Sequence, residues 1–433
     1  MTSPKRIGVI GSGIAGLTAA HLLSRKHEVV VFEANDYIGG HTHTVPVEID
    51  NTKLNVDTGF IVCNDRNYPN FLKLLGQLGV DYQRTEMSFS VTNKALDLEY
   101  NGHNLNTLFA QRSNALRPKF IGMVRDIIRF NERAKEALSE GSTADKTLDD
   151  FIRSLGLGDW FRNNYVLPMV AAIWSCSAKQ AGDFPLQFFL QFFNHHGLLD
   201  IQNRPQWYVL KNGSHSYIEP LTKPFRDNIH LSTPVQTVAR NAKGVTIATS
   251  KGTEKFNEVV FACHSNQALA LLADPTAAET KVLGNLAYQD NDVVLHTDAS
   301  LMPKRRRAWA AWNFYLDNSG SAGALGAKGD KGDALPVVTY NMNILQGLVS
   351  SDPLLVTLNA NHLIDPSKVI RTFNYAHPVF SLESSRAQAQ RPLICGHNST
   401  HYCGAYWYSG FHEDGVRSAL DVARRFGIEL EQG

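Results

Sequence analysis

Cysteine is scarce in this 433-residue chain: five residues, at 63, 176, 263, 395 and 403, with no CxxC pair among them. An odd number without paired spacing argues against a disulfide framework and for a reducing compartment. An excess of one charge is also missing, since 42 basic residues face 41 acidic ones, so no global field recruits nucleic acid. No apolar run approaches the ~20 residues of a membrane-spanning helix, and no leader is expected ahead of a first strand that begins near Arg6. Metal-ligand spacing is absent: no HExxH occurs, and His195 and His196 are adjacent and so point apart. No internal repeat is visible. These absences describe a chain expected in the cytoplasm, or bound peripherally to the inner face of a membrane. It is too long for one ordinary core, so two domains are expected.

What is present is concentrated in the first forty residues. Arg6 to Ile10 is a short apolar stretch with strand character, Gly11-Ser12-Gly13-Ile14-Ala15-Gly16 follows, and Leu17 to Leu23 has helical spacing. Strand, glycine turn and helix in that order are what a dinucleotide fingerprint requires. Gly11 permits the tight turn, Gly13 lets backbone amides approach a pyrophosphate, and Gly16 lets the helix lie close to the strand. The helix start at Ile14 and Ala15 then offers open N–H groups and partial positive charge to the phosphates. Glu28 to Phe32 reads as the second strand, and Glu33 ends it, 22 residues beyond Gly11. An acid there accepts hydrogen bonds from the adenosine ribose hydroxyls. The chain is expected to bind an adenine dinucleotide.

Glu33-Ala34-Asn35-Asp36-Tyr37-Ile38-Gly39-Gly40-His41 then carries a resemblance. The pattern E-A-x-x-x-x-G-G-(basic) resembles the flavin-containing amine oxidases, phytoene desaturases and their relatives. The resemblance implies noncovalent FAD, with Gly39, Gly40, His41 and Thr42 bringing a second loop against its diphosphate. Most family members have Arg or Lys where this chain has His41, which makes charge at that contact pH-dependent. Asp57-Thr58-Gly59-Phe60 corresponds to a stretch beside the flavin ring, so Asp57, Gly59 and Phe60 are candidate site residues, although a turn explains them equally. By the same resemblance the segment at Val235 supplies backbone hydrogen bonds to adenine.

The implied fold is α/β: a Rossmann-like FAD-binding domain with an inserted substrate domain of antiparallel sheet plus a helical lobe. Residues 1–80, 205–285 and 389–433 would build the FAD-binding part. Residues 81–204 would form the substrate domain's first portion and the helical lobe, and 286–388 its sheet. A helix is expected from Pro69 to Leu78, short strands between Tyr82 and Tyr100, and mostly helix over 116–200. The stretch Phe184 to Phe193 holds five phenylalanines and suits either a buried helix or one wall of a tunnel for a long apolar substrate. Ser319 to Ala334 is glycine-rich and reads as a loop. Leu393 to Gly396 reads as a short strand.

Tyr402 to Gly415 leads into a helix expected from about Val416 to Phe426. It resembles the last FAD-binding element of the family, which implicates Gly404, Ala405, Gly410, Phe411, Asp414, Gly415 and Val416. Ala405 stands where the family carries an acid for the ribityl chain, so Glu413 or Asp414 replaces it or the contact is absent. Candidate catalytic residues are His412 and Glu413 as bases, with His401 in reserve, and Tyr406 as a substrate-orienting ring. Helix capping is the competing reading for His412 and Glu413, and packing for Tyr406. Arg305-Arg306-Arg307 beside Trp309 and Trp312 combines phosphate-attracting charge with interfacial aromatics, or is a solvated basic turn. Gly410 to Gly415, with Leu295 to Asp298 and Ala308 to Asn313, resembles a bacterial subgroup associated with cyclopropane-fatty-acid-synthase-type methyltransferases. That resemblance implies desaturation of an unsaturated or methyl-branched acyl chain, whether free acid, thioester or phospholipid, in a furan fatty acid type pathway. The alternative is an amine oxidase or other small-molecule oxidase of the same fold. A non-enzymatic escort is disfavoured, because every fingerprint glycine is present.

Overall fold

The computed structural model describes residues 3–143, 145–200, 203–317 and 335–430; the glycine-rich stretch expected as a loop at 319–334 lies outside them. A five-stranded, all-parallel sheet organises the cofactor half. Its strands run in the order Ile229–His230, Glu28–Phe32, Arg6–Ile10, Glu258–Phe261, Thr400–Tyr402. The central strands are continuous apolar runs because both faces are covered. Helices Ile14–Leu23 and His412–Arg425 pack together on one side. The antiparallel strands Val235–Asn241, Gly244–Thr249 and Gly252–Phe256 bring Ile247 and Phe256 against Gly8 on the central strand.

A seven-stranded sheet forms the other half. Its order is Val369–Pro378, Tyr288–His296, Leu355–Leu358, Val337–Asn341, Trp312–Leu316, Phe89–Asn93, Leu98–Asn101. It is antiparallel as expected, apart from the parallel pairing of Trp312–Leu316 with Phe89–Asn93. The helical lobe contains Pro118–Glu140, Leu148–Ser154, Leu167–Trp174 and Leu186–His195. In the last of these, Phe189 and Phe193 are buried in the lobe core, so the phenylalanine-rich stretch is core first. No helix among the described residues is long and apolar enough to cross a membrane.

Two expected elements differ. Leu393 to Gly396 is not a strand: Arg391–Leu393 is a tight 3₁₀ turn, and the sheet's edge strand is Thr400–Tyr402. The C-terminal helix begins at His412, not near Val416. Asp414 caps it by accepting from the Phe411 N–H (2.9 Å), which lets the helix start a turn earlier.

Candidate functional site: two glycine loops and two helix starts

The fingerprint loop is shaped by what its glycines lack. Gly11 has φ +104°, and an added Cβ would lie 3.0 Å from the Ala262 carbonyl oxygen. At Gly16 a Cβ would meet the Gly11 oxygen at 2.0 Å, so the helix can approach the strand only without a side chain. Gly13 is different: nothing lies within 4 Å of an added Cβ, and no side chain caps the helix it precedes. The first-turn N–H groups at Ile14, Ala15 and Gly16 are therefore open on that side. The second glycine loop closes beside the first. Gly13 bridges to Gly39, and a Cβ on Gly40 would lie 3.2 Å from the Gly13 Cα.

Glu33 is buried at the end of its strand. It accepts from the Ser12 N–H (2.9 Å) and hydroxyl (2.6 Å), and from the Asn35 N–H (2.9 Å). The Ser232 and Thr233 N–H groups donate to the Asn35 and Glu33 carbonyls, which carries the strand start at Val235 alongside exposed Ala34.

The Asp57–Phe60 stretch crosses against the glycine pair. A Cβ on Gly59 would sit 2.1 Å from the His41 oxygen, and the Phe60 N–H donates to that same oxygen at 2.7 Å. Asp57 is wholly buried, and its carboxylate is committed within the protein. It accepts from Thr44 Oγ1 (2.6 Å), Ser214 N (2.8 Å), Ser214 Oγ (2.9 Å) and Gln346 Nε2 (3.0 Å). Burial raises its pKa to about 6, against the pull of these donors. The residue read as a cofactor neighbour is thus a tie between the cofactor loops and Gln346.

At the C-terminal element, neighbouring polar residues part company. His412 stacks on Phe60 (3.6 Å between ring centres) and places Nε2 2.9 Å from the Tyr217 hydroxyl and 3.3 Å from Thr42 Oγ1. Burial holds it well below the usual imidazole pKa. Glu413 accepts from Asn70 N (3.1 Å), Asn70 Nδ2 (2.6 Å) and Phe71 N (2.8 Å), capping the helix Pro69–Leu78. The residue expected as a base is therefore placed at the cap of a neighbouring helix. Asp414 accepts from Ser409 N and Phe411 N. Both acids expected as substitutes for the one missing at Ala405 are thus engaged by N–H donors of the protein. His401, the reserve base, lies 3.3 Å from Glu258, at the end of that strand remote from the glycine turn. Gly415 lies against Ile14, where a Cβ would come within 2.6 Å of Cγ2, and Val416 is buried behind it. The two helix starts thereby converge.

Five aromatic rings link these segments, and three of them, Tyr288, His264 and His377, were not singled out by the sequence. Tyr406 meets Tyr288 edge-on (6.2 Å), Tyr288 stacks on His264 (4.1 Å), and His41 lies 6.2 Å from His264 and 5.5 Å from His377. Burial pushes His264 and His377 down to about 3, and lowers His41 as well. The protein alone therefore holds His41 neutral near pH 7, not switching there as expected. Its ring bonds to the Ala376 backbone, and its Nε2 has no protein partner. The buried Tyr406 hydroxyl also has none, and burial keeps it protonated. These rings come from separate segments with no common spacing, so no sequence signal joins them. Gly404 admits the Tyr406 ring, which a Cβ would strike at 2.3 Å, and Gly410 packs against Phe380.

The donor set fits an adenine dinucleotide. Open amides at a glycine cradle suit a diphosphate, Glu33 suits a ribose, and the buried His41 Nε2 beside the second glycine loop has no protein partner. The described residues contain no cluster able to hold a metal ion. Residues 14–309 match the flavin containing amine oxidoreductase family, and the chain belongs to it; its cofactor is FAD. The Mycobacterium tuberculosis protein AofH, assigned as a flavin-containing monoamine oxidase, is 22% identical over 292 residues, covering 62% of this chain and 58% of AofH. This chain thus spans less than two thirds of the length of that relative. Polyamine oxidase 4 of Oryza sativa subsp. japonica is 36% identical over 95 residues, 21% of this chain and 18% of the relative. Among solved structures, a fatty acid isomerase from P. acnes that produces CLA superposes with a TM-score of 0.70 at 15% identity, covering 98% of this chain and 99% of its own. Cyclohexylamine oxidase from Brevibacterium oxydans IH-35A gives 0.65 at 14%, covering 98% and 100%. At such identity these two show a shared fold.

Proposed function

We propose that this protein is an FAD-dependent oxidoreductase that desaturates an unsaturated or methyl-branched fatty acyl chain. The observation that carries this reading is the aromatic wall between the helical lobe and the turn before His412. Trp174 lies 4.6 Å from Phe192, Phe192 stacks on Phe411 at 5.0 Å, and Phe188 stacks on Phe380 at 4.9 Å. The Trp174 indole N–H is taken up by the Ser409 carbonyl, and the His196 imidazole stacked on Phe192 (3.8 Å) is held neutral by burial, so the wall carries no charge. The acids at this turn, Glu413 and Asp414, are occupied by backbone N–H groups, so no free carboxylate there offers an ammonium an ion pair. An alkyl chain calls only for apolar surface and exclusion of water.

When bound, FAD supplies the hydride acceptor. The chain's own residues hold and orient. Gly13 and the helix start at Ile14 would receive the diphosphate, and Glu33 the ribose. Neutral His41, its ring fixed by the Ala376 backbone, presents Nε2 as a proton acceptor. Protonated Tyr406 presents a donor. His412 acts as a positioning residue, fixing Phe60 and Thr42 to the helix start. Attachment of FAD is noncovalent: Cys403 is fully buried, and burial raises its thiol pKa far from the thiolate range.

Oxidation of an amine is the second reading, favoured by the likeness to AofH and to the polyamine oxidase. Anaerobic mixing of the yellow protein with unsaturated and methyl-branched phospholipids, and separately with putrescine and cyclohexylamine, distinguishes the two. Bleaching of the flavin absorbance by the lipids is expected. Bleaching by an amine alone would overturn the acyl reading.

A further inference from the structure

Half of the large hydrophobic side chains exposed among the described residues fall in one short segment. Leu105 is 75% exposed, Leu116 87%, Ile121 45% and Ile128 44%. Ile121 and Ile128 are seven residues apart on the helix Pro118–Glu140, with Arg125 between them, so the three share one outward stripe. Leu116 projects from the turn just before that helix. Scattered single hydrophobics need no explanation, but a contiguous set does.

The same segment is basic, with Asp126 as the one acid between Leu105 and Ile128. Residues 103–125 contain no Asp or Glu and carry Arg112, Arg117, Lys119 and Arg125. A second basic stretch, Lys304-Arg305-Arg306-Arg307, is brought to it by the edge strand Leu98–Asn101. Buried Glu99 on that strand accepts from Lys304 N (2.8 Å) and Arg305 Nη1 (2.9 Å), while its carbonyl accepts from Asn114 Nδ2 (3.0 Å). The turn Arg306–Ala308 packs on the short helix Leu105–Leu108. Arg117 pairs with Asp97 and Arg305 with Glu99. No described carboxylate forms an ion pair with Arg112, Lys119, Arg125, Lys304, Arg306 or Arg307. Arg306 instead lies 3.9 Å over the Trp309 ring. Since the whole chain carries a net charge of only +1, this face concentrates positive charge that the rest of the surface offsets.

We infer that this face docks the protein on an anionic phospholipid bilayer, with the cations meeting headgroups and Leu105, Leu116, Ile121 and Ile128 entering the acyl boundary. Charge complementarity selects an anionic surface. The exposed aliphatic side chains select a bilayer over a soluble polyanion, which offers them nothing to bury in. The face belongs to the edge strand and the helical lobe whose aromatic core reaches Phe411, yet the inference does not depend on which substrate is oxidised.

Co-sedimentation of the full-length holoprotein with vesicles of mixed phosphatidylglycerol and phosphatidylcholine tests it, against vesicles of phosphatidylcholine alone and against heparin. Binding to the anionic vesicles is expected. It should fall about tenfold in the double variant Arg306→Glu/Arg307→Glu and comparably in Leu116→Ser/Ile121→Ser, with the flavin spectrum of both unchanged. These side chains are at the surface, so the variants are expected to fold. Absence of sedimentation with anionic vesicles would overturn the inference. Undiminished binding by the Leu116→Ser/Ile121→Ser variant would do the same, leaving a charge-driven surface that takes any polyanion, as equal retention on heparin would then show.

Discussion

His412, Glu413 and Asp414 are consecutive in the sequence and diverge completely in the structure. His412 turns inward to Tyr217, Glu413 reaches to another helix, and Asp414 folds back on its own helix start. A polar group at a helix N-terminus has the same appearance in sequence whether it caps or reacts, because both uses place it in the first turn. That ambiguity is why the catalytic roles expected of His412 and Glu413 were not decidable from residues alone. Asp414 carries a consequence for stability. Burial, reinforced by the neighbouring Glu413, raises its pKa from 3.8 to about 7 against the donors at Phe411 and Ser409. The folded protein therefore keeps a proton that the unfolded chain releases, and stability falls as pH rises between about 4 and 7, by at most about 4 kcal/mol. Asp414→Asn keeps the acceptor for the Phe411 N–H and cannot ionise. Its denaturant stability should vary less across that window than the wild type's; equal slopes would refute the assignment.

At the scale of elements, the strand–loop–helix around Gly11 was legible because each requirement is local. A tight turn, a close approach and an open cradle each demand glycine at a fixed offset. The structure separates these demands. Gly16→Ala would drive a Cβ to 2.0 Å from the Gly11 oxygen, so the fold itself should fail. Gly13→Ala meets no atom within 4 Å and has extended backbone that any residue adopts. It should fold with a wild-type circular dichroism spectrum yet bind FAD at least about tenfold more weakly, because its methyl group occupies the diphosphate approach. Wild-type flavin content in Gly13→Ala would show that the cradle serves something else. The row His41, His264, Tyr288, His377 and Tyr406 lies beyond such local reasoning. Its members meet only after the sheet strands Tyr288–His296 and Val369–Pro378 are laid over the glycine loops.

For the molecule as a whole, the sequence order disguises how the halves interlock. Thr44, Asp57 and Ser214 from the loops around the cofactor sheet meet Gln346 from the substrate side through a single buried carboxylate. The pattern D-x-G could be read as a turn or as a cofactor contact, and only the assembled halves reveal a tie. The fold class was readable because family motifs are spread over the whole chain. The aromatic wall was legible only in part: the phenylalanine run 184–193 was visible, but its partners Trp174, Phe380 and Phe411 join it only by packing. The account rests centrally on an acyl chain, and not an amine, giving up hydride. Mass spectrometry of methyl-branched unsaturated phospholipid after anaerobic incubation with a stoichiometric amount of the flavoprotein tests this most directly. The account predicts an acyl product lighter by two hydrogens, formed in step with flavin reduction. Unaltered lipid beside a flavin that putrescine reduces would contradict it.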